Sequence, residues 1–503
     1  MNISVDGNAA GLRSRSIAAL GWSAIDVAGR QGIQFVVMLI LARLLSPAEF
    51  GLLGMLSLFI ALGSSFVDSG FGLALIQRKE ITQADKSSVF LFNAAMGALM
   101  ASGIFAAAPL IAAFYKEPIL VPLTRLMALN LFVGSFGTVQ ASLLNRELDF
   151  LTPCKAGIVA GIVSGTVSVW MAMKGCGVWS LAVQTLSATT ISTTVIWMLH
   201  PWRPTLKLRV ASLRSLFKFG SRMLACGLMG AFFDRIQLTV IGKAFSAVEL
   251  GYYVRAYSTQ QMPVSFLSVI VARVAFPVFS RISEDPKALR RGVQQVLISL
   301  MIPTLPMMVG LAVVARPVVL VLFGDKWLPC VPYLQILSLM GVFWPWAVIN
   351  LNVLTATGRS DLFLRLDVTK RILLGLGLLI SYRMSVTAMA WALLIVCAVG
   401  VFINTYYSKT LIGYGPLNQL RDIAPYGAIS GMMGVVAWAA GELFSNSPVL
   451  QLSVAVTSGA AFYCATCYIF RLQGYRSAVA SGLGALSSII GRGASEVVTA
   501  SNS

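Results

Sequence analysis

LLSPAEFG at residues 44–51 returns 200 positions later as AFSAVELG at 244–251, so that Ser46, Glu49 and Gly51 meet Ser246, Glu249 and Gly251, and Arg43 meets Lys243. Further on, VWSLA at 178–182 is echoed by MAWAL at 389–393, an offset grown to about 211, as expected if the second half has longer loops. Outward from these anchors, apolar runs of about 20 residues, the length that crosses a hydrocarbon core, fall near 17–41, 50–75, 88–114, 120–144, 152–173 and 177–199. A second set lies near 216–242, 254–280, 293–323, 331–356, 363–382 and 386–407, with a last pair near 424–444 and 448–470. Six spans per repeat is an even number, so the halves insert in one orientation, related by an axis along the membrane normal.

The expected fold is therefore all-α and membrane-integral: about 14 transmembrane helices in two pseudo-symmetric six-helix lobes plus a C-terminal helix pair. The N-lobe takes 1–200, a cytoplasmic linker 201–215, the C-lobe 216–410, the helix pair 411–471, and a flexible Gly/Ser/Ala-rich cytoplasmic tail 472–503. The strongly helical periodicity excludes a membrane β-barrel, whose strands alternate every second residue.

Composition agrees with this reading. Of 503 residues 57% are hydrophobic and 11% charged, and fourteen spans of about 20 residues would use up nearly all the apolar positions. The net charge of +19 would suggest nucleic acid on a soluble chain, but here it follows the loops. Loops on the side of the N-terminus hold 25 of the 38 Lys and Arg, the opposite loops nine. That bias puts both termini in the cytoplasm. Residues 1–16 are polar, and the apolar run after them carries Asp26 and Arg30 and is too long for a signal core, so it reads as an uncleaved first span.

Enzyme and cofactor signatures are sparse. The single histidine, His200 beside Pro201, excludes a histidine-built metal site and reads as a solvated loop residue. Gly242-Lys243 fails the phosphate-loop pattern because Gln237 stands where the first Gly is required. Cys464 and Cys467 sit on one apolar helix face and read as packing. The linker HPWRPTLKLRVASLRS at 200–215 reads as a basic tether or a lipid-headgroup contact. No cofactor is expected.

Charges inside the spans carry the functional signal, because each costs about 3 kcal/mol at the bilayer centre on the insertion scale. They are Asp26 and Arg30 in span 1, Asp68 in span 2, Arg222, Asp234 and Arg235 in span 7, and Arg273 in span 8. Spans 1 and 7 are repeat equivalents, as are 2 and 8. Arg30, Arg222, Arg235 and Arg273 outnumber the acids, a balance suited to a phosphate or diphosphate in a central cavity. Asp26, Asp68 and Asp234 are candidates for ion coupling or pairing; Asp26 and Arg30 are four apart on one face. Asp68, Arg222 and Arg273, near span ends, are also placed to snorkel to the interface, and ion pairs that only lock helices are the other use. Pro109, Pro263, Pro277, Pro303, Pro306 and Pro345 fall in spans, where Pro permits bending.

FVDSGFGLALIQR at 66–78, KGCGVWSLA at 174–182, GYYVRAYSTQQMP at 251–263 and LFGDKWLPCVPYLQIL at 322–337 resemble the marker segments of bacterial polysaccharide transport proteins. These are the lipid-linked oligosaccharide flippases, of colanic-acid and succinoglycan type, in the multidrug/oligosaccharidyl-lipid/polysaccharide exporter superfamily. LLNRELDF at 143–150 is similar as well, although the LTPCKA after it departs from the usual basic continuation. The resemblance covers about 15–470. It implies a two-lobe, V-shaped transporter, not an enzyme, in the bacterial inner membrane. Such a protein moves undecaprenyl-diphosphate-linked oligosaccharide repeats from the cytoplasmic to the periplasmic leaflet by alternating access, for exopolysaccharide or lipopolysaccharide synthesis. Membrane lipids, a polysaccharide polymerase and a chain-length regulator are the implied partners. A drug/cation antiporter of the same superfamily would favour an acidic, aromatic cavity, and a polysaccharide polymerase or ligase would need a large outer loop; the outer loops expected here are no longer than about ten residues.

Overall fold

The computed structural model describes residues 29, 31–68, 70–78, 80–205, 209–282 and 284–470, and every described element is a helix. In chain order they are α1 (Gln31–Leu44), α2 (Pro47–Asp68), α3 (Phe71–Gln77), α4 (Gln83–Tyr115), α5 (Leu120–Ser135), α6 (Thr138–Arg146), α7 (Leu151–Met173), α8 (Val178–Leu199) and α9 (Val210–Ala244). There follow α10 (Ala247–Arg281), α11 (Pro286–Val313), α12 (Ala315–Leu322), a 3-10 turn (Asp325–Cys330), α13 (Val331–Gly341), α14 (Phe343–Ala356), α15 (Ser360–Ser381), α16 (Val386–Ile412), α17 (Pro416–Glu442) and α18 (Pro448–Ile469). Each expected span from residue 50 onward meets one helix or a consecutive pair. Ten helical segments among the described residues are long and apolar enough to cross a membrane. Their outward surface is apolar too: Leu110, Met173, Leu417 and Ile469 are all at least 70% exposed, as lipid-facing side chains are and water-facing ones rarely are. The expected start of span 1 and the tail from 472 lie outside the described residues.

Local chemistry sets the helix ends. Thr82 and Asp85 form a capping box at α4, with the Thr82 hydroxyl accepting from the Asp85 N–H and the Asp85 carboxylate from the Thr82 N–H. Asp285 caps α11 and Ser385 caps α16, while Gly413, at φ 66°, closes α16 in the left-handed conformation.

Two compact units emerge, Met1–Val254 and Arg255–Ser503. In the first, the two sequence anchors meet. The Glu49 carboxylate accepts from the N–H and hydroxyl of Ser46, and the Ser246 hydroxyl accepts from the Glu249 N–H, so each copy begins its helix with half of the same capping device. A Cβ on Gly51 would overlap the Ala247 carbonyl, and one on Gly251 would overlap the Pro47 carbonyl. The contact is reciprocal at an offset of 200 residues, which is why both positions lack a side chain.

His200 departs from the solvated position expected for it. His200 is buried, its Nε2 3.6 Å from a Glu147 carboxylate oxygen, and residues 210–215 already belong to α9. The cause is Trp202, which packs among Phe71, Val89, Phe90, Val139 and Leu143 and donates its indole N–H to Gln83 at 2.7 Å. Ser87 and Ser88 accept from the Thr205 and Arg209 N–H groups, both at 2.9 Å. The polar composition of this stretch reflects backbone docking onto α4 as much as solvation.

In the second unit a buried polar network joins α11, α14, α16 and α17. Asn350 and Gln419 exchange amide hydrogen bonds at 2.9 and 3.0 Å, Trp346 donates to Gln419 at 2.6 Å, and Ser408 donates to Asn350 at 2.6 Å. Nearby, Tyr414 and Gln294 donate to Asp422.

Two stability outcomes are expected. Gly51→Ala and Gly251→Ala each destabilise the detergent-solubilised protein by about 1–3 kcal/mol through overpacking, and the double variant loses less than the sum because both strain one contact. Gln419→Leu costs about 2–4 kcal/mol, since the Trp346 N–H and the Asn350 amide lose partners. Thermal unfolding in detergent checks both.

Candidate functional site

The expected charges are only partly brought together. Asp26 and Arg30 lie outside the described residues. Asp68 is the last residue of α2, exposed, beside Gly70, whose positive φ of 69° starts the turn into α3. A Cβ at Gly70 would stand 2.6 Å from both the Gly220 carbonyl oxygen and Met223 Cβ, so the turn after Asp68 lies against the turn of α9 that carries Arg222. Arg222, Asp234 and Arg235 are exposed on α9, and among the described residues no ion pair joins them to one another or to Asp68. Thirteen residues separate Arg222 from Arg235, which sets them about 20 Å apart along the helix and about 140° apart around it. Arg273 is a residue of α10. The geometry thus gives one cationic helix with two separate charged positions rather than a single cluster. Such side chains can attract an anion by Coulomb forces and bind phosphate oxygens bidentately, while the described residues contain no group able to hold a metal ion.

The marker segments turn out to hold one another. Arg146, in LLNRELDF, donates to the carbonyls of Leu75 at 2.7 Å, Ile76 at 3.4 Å and Arg78, which closes the C-terminal end of α3 in FVDSGFGLALIQR. Asp149 accepts from the Leu151 N–H and from the N–H and hydroxyl of Thr152 at the start of α7. Burial pushes the Asp149 carboxyl up, but the Thr152 and Leu151 hydrogen bonds and the His200 charge outweigh it and hold the group below its usual range. Gly177, in KGCGVWSLA, has φ 58°, and a Cβ there would be 2.5 Å from the Glu49 carboxylate. In the second unit, Arg255 of GYYVRAYSTQQMP lies over Phe323 and Trp327 of LFGDKWLPCVPYLQIL, 5.2 and 5.1 Å from the ring centroids. All three are almost wholly buried, so the guanidinium fastens the 3-10 turn to α10.

Sequence reasoning missed a polar groove of about 690 Å³ inside the first unit, between α1, the α5–α6 break, α7 and α8. Gln34, Thr138, Ser164, Gln184, Ser192 and Thr193 contribute its polar wall. The signal was present as the hydroxyl-dense run QTLSATTISTT at 184–194, but a search for intramembrane charges passes over uncharged polar groups.

A family model described as "Polysaccharide biosynthesis protein" matches residues 40–332. The chain is 28% identical to the teichuronic acid biosynthesis protein TuaB of Bacillus subtilis (strain 168) over 458 residues, 90% of this chain and 94% of that one. It is 28% identical to the lipopolysaccharide biosynthesis protein WzxC of Escherichia coli (strain K12), covering 74% and 76%, and 27% identical to the succinoglycan biosynthesis transport protein ExoT of Rhizobium meliloti (strain 1021), covering 64% and 65%. Its fold is that of the lipid II flippase MurJ, with a TM-score of 0.71 at 14% identity over 89% of this chain and 98% of that one. A multidrug resistance MATE family transporter shares the fold at a TM-score of 0.59 and 13% identity, covering 78% and 98%.

If Arg222, Asp234 and Arg235 face an aqueous space, cysteines placed there in a cysteine-free background react with a charged, membrane-impermeant thiosulfonate, whereas Trp170→Cys on the apolar exterior reacts only with a lipid-soluble maleimide. Labelling of intact membranes checks this; an Arg235→Cys that takes only the lipid-soluble reagent would place that charge against lipid.

Proposed function

The chain belongs to the polysaccharide biosynthesis protein family, and from that premise we propose that it is a flippase for undecaprenyl-diphosphate-linked oligosaccharides, moving them from the cytoplasmic to the periplasmic leaflet by alternating access. The observation that carries this reading is the family match across residues 40–332. It ties the chain to polysaccharide synthesis, and the MurJ-like fold supplies a frame on which a lipid-linked saccharide is moved. The chain is a transporter rather than an enzyme, a multi-pass protein of the bacterial inner membrane. The MATE likeness concerns fold alone, so it does not favour drug export over the family match.

In this reading fourteen spans place both termini in the cytoplasm, with 1–200 and 216–410 as the two lobes, 201–215 as the linker, 411–471 as a helix pair and 472–503 as a cytoplasmic tail. Arg30, Arg222, Arg235 and Arg273 hold the diphosphate in turn along the path, consistent with the separation of Arg222 from Arg235 on α9. Asp26, Asp68 and Asp234 pair with these cations or couple the cycle to an ion gradient. The prenyl chain stays in membrane lipid, where it needs no protein charge, and a polysaccharide polymerase and chain-length regulator receive the product.

Deletion of the gene is expected to abolish exported polymer and to make completed lipid-linked oligosaccharides accumulate. Arg222→Ala and Arg235→Ala, at normal protein levels, each restore export at least about tenfold less well than wild type, the loss of one charge-assisted contact. Extraction of polyprenyl-linked sugars and assay of surface polymer check this. Unchanged polymer and lipid pools in a strain lacking a second family member would show that the substrate is something else.

A further inference from the structure

We propose that the groove between α1, α5–α6, α7 and α8 is a binding subsite for the uncharged sugars of the transported lipid, an inference that rests on the flippase reading above. Its volume is about 690 Å³, within the range of small-molecule sites. Gly134, Gly137, Gly157 and Gly161 form part of its wall; a Cβ on Gly134, Gly137 or Gly161 would meet Thr189, Thr193 or Ile33 at 3.0–3.5 Å, so the absent side chains let α1, α7 and α8 pack closely around the groove. Gln34, Gln184, Ser164, Ser192 and Thr193 supply both donors and acceptors, and no Asp, Glu, Lys or Arg lines it. A carboxylate or phosphate would meet no countercharge there, and the wall holds no carboxylate to carry a coupling ion. A neutral sugar meets hydrogen-bonding groups beside an apolar wall from Val37, Met38, Ala160 and Ile196.

Groove-lining Thr185 and Thr189 bond back to the Leu181 and Thr185 carbonyls, both at 3.1 Å, but other polar groups of the wall do not. A hydroxyl in lipid normally bonds back to its own helix, and the exposed Thr190 and Thr194 do so, to Leu186 and Thr190 carbonyls, both at 2.8 Å. Ser192 and Thr193, one helical step away and on the groove wall, make no hydrogen bond to any described residue, nor do the side chains of Gln34, Gln184 and Ser164. Ser164 is only 2% exposed, so its hydroxyl is nearly enclosed yet unpartnered. Polar groups held this way in a membrane protein are costly unless something else satisfies them. The polarity is also not a general property of these helices: a second cleft on α1 and α7, sharing Val37 with the groove, is lined mainly by Ile33, Val36, Ile40, Ile162 and Trp170.

From the end of α7 beside Asp149, Gly157 and Ser164 lie roughly 10–20 Å along the helix axis. In the proposed topology that depth is reached from the cytoplasm, where the sugar is loaded. The groove thus separates recognition of the neutral glycan from the cationic positions on α9.

The test compares two probes, undecaprenyl diphosphate bearing a neutral galactosyl-glucose disaccharide and undecaprenyl diphosphate alone, binding to the purified full-length protein in lipid nanodiscs. Gln184→Leu/Ser192→Ala/Thr193→Val is expected to weaken binding of the glycosylated lipid roughly tenfold or more while leaving the bare lipid within about twofold. Its unfolding midpoint stays at the wild-type value, because these side chains bond no described residue. Thr190→Val/Thr194→Val changes neither affinity. Thr193→Val alone, expected to shift the glycosylated lipid in the same direction, serves if the triple variant does not fold. Equal weakening of both lipids, or weakening of neither, overturns the sugar subsite and leaves the flippase reading standing. A wild-type protein that binds neither lipid overturns the flippase reading, and the subsite with it.

Discussion

Arg146 donates to three carbonyls at the end of α3, and the constraint it answers shapes the whole chain. Lipid offers no hydrogen bonds, so backbone groups freed wherever a membrane helix stops must be satisfied by the protein itself. The chain interrupts its helices at Gly70 between α2 and α3 and at Phe136–Gly137 between α5 and α6, among other places. At the second break Trp197 donates its indole N–H to the Phe136 carbonyl at 3.0 Å, and Thr138, held by Asn93, donates to the Ser135 carbonyl. The second break is answered in part from another helix, α8. The segments that mark the family in sequence are, in this part of the fold, the pieces that satisfy these ends: FVDSGFGLALIQR supplies the carbonyls and LLNRELDF the guanidinium.

A second consequence concerns the repeat. Two copies of one helix start come close enough for Gly51 to reach the Ala247 carbonyl and Gly251 to reach the Pro47 carbonyl. Reciprocity of this kind follows when duplicated elements pack about a local two-fold relation. It also accounts for the order of the motif. Ser and Glu fix the first turn, and Gly one turn further on lets the backbones touch.

Charge and neutral polarity occupy different places. The charged positions of α9 are exposed and spread along the helix, whereas the polar groove, in the same unit, is uncharged. A lipid-linked saccharide has the same division: an anionic diphosphate, neutral sugars and an apolar tail. Only the first of these could be sought in the sequence by counting intramembrane charges. His200 shows the opposite error. Its polar neighbours made it look solvated, but Trp202 draws the segment onto α4 and buries it.

The sequence by itself determined the membrane character, the helix positions from residue 50 onward to within about eight residues and the duplication, because apolar length, charge and local repetition are written along the chain and need no partner. It also singled out Asp68, Arg222, Asp234 and Arg235 as charges within or beside apolar runs. Tertiary structure alone decided that Arg146 closes α3 and that Arg255 stacks on Trp327. It alone separated Ser192 and Thr193 in the groove from Thr190 and Thr194 outside it. Composition treats these four residues alike; which of them a ligand can reach depends on the rotation of α8 against α1 and α7, and that rotation is set by packing between segments far apart in the chain.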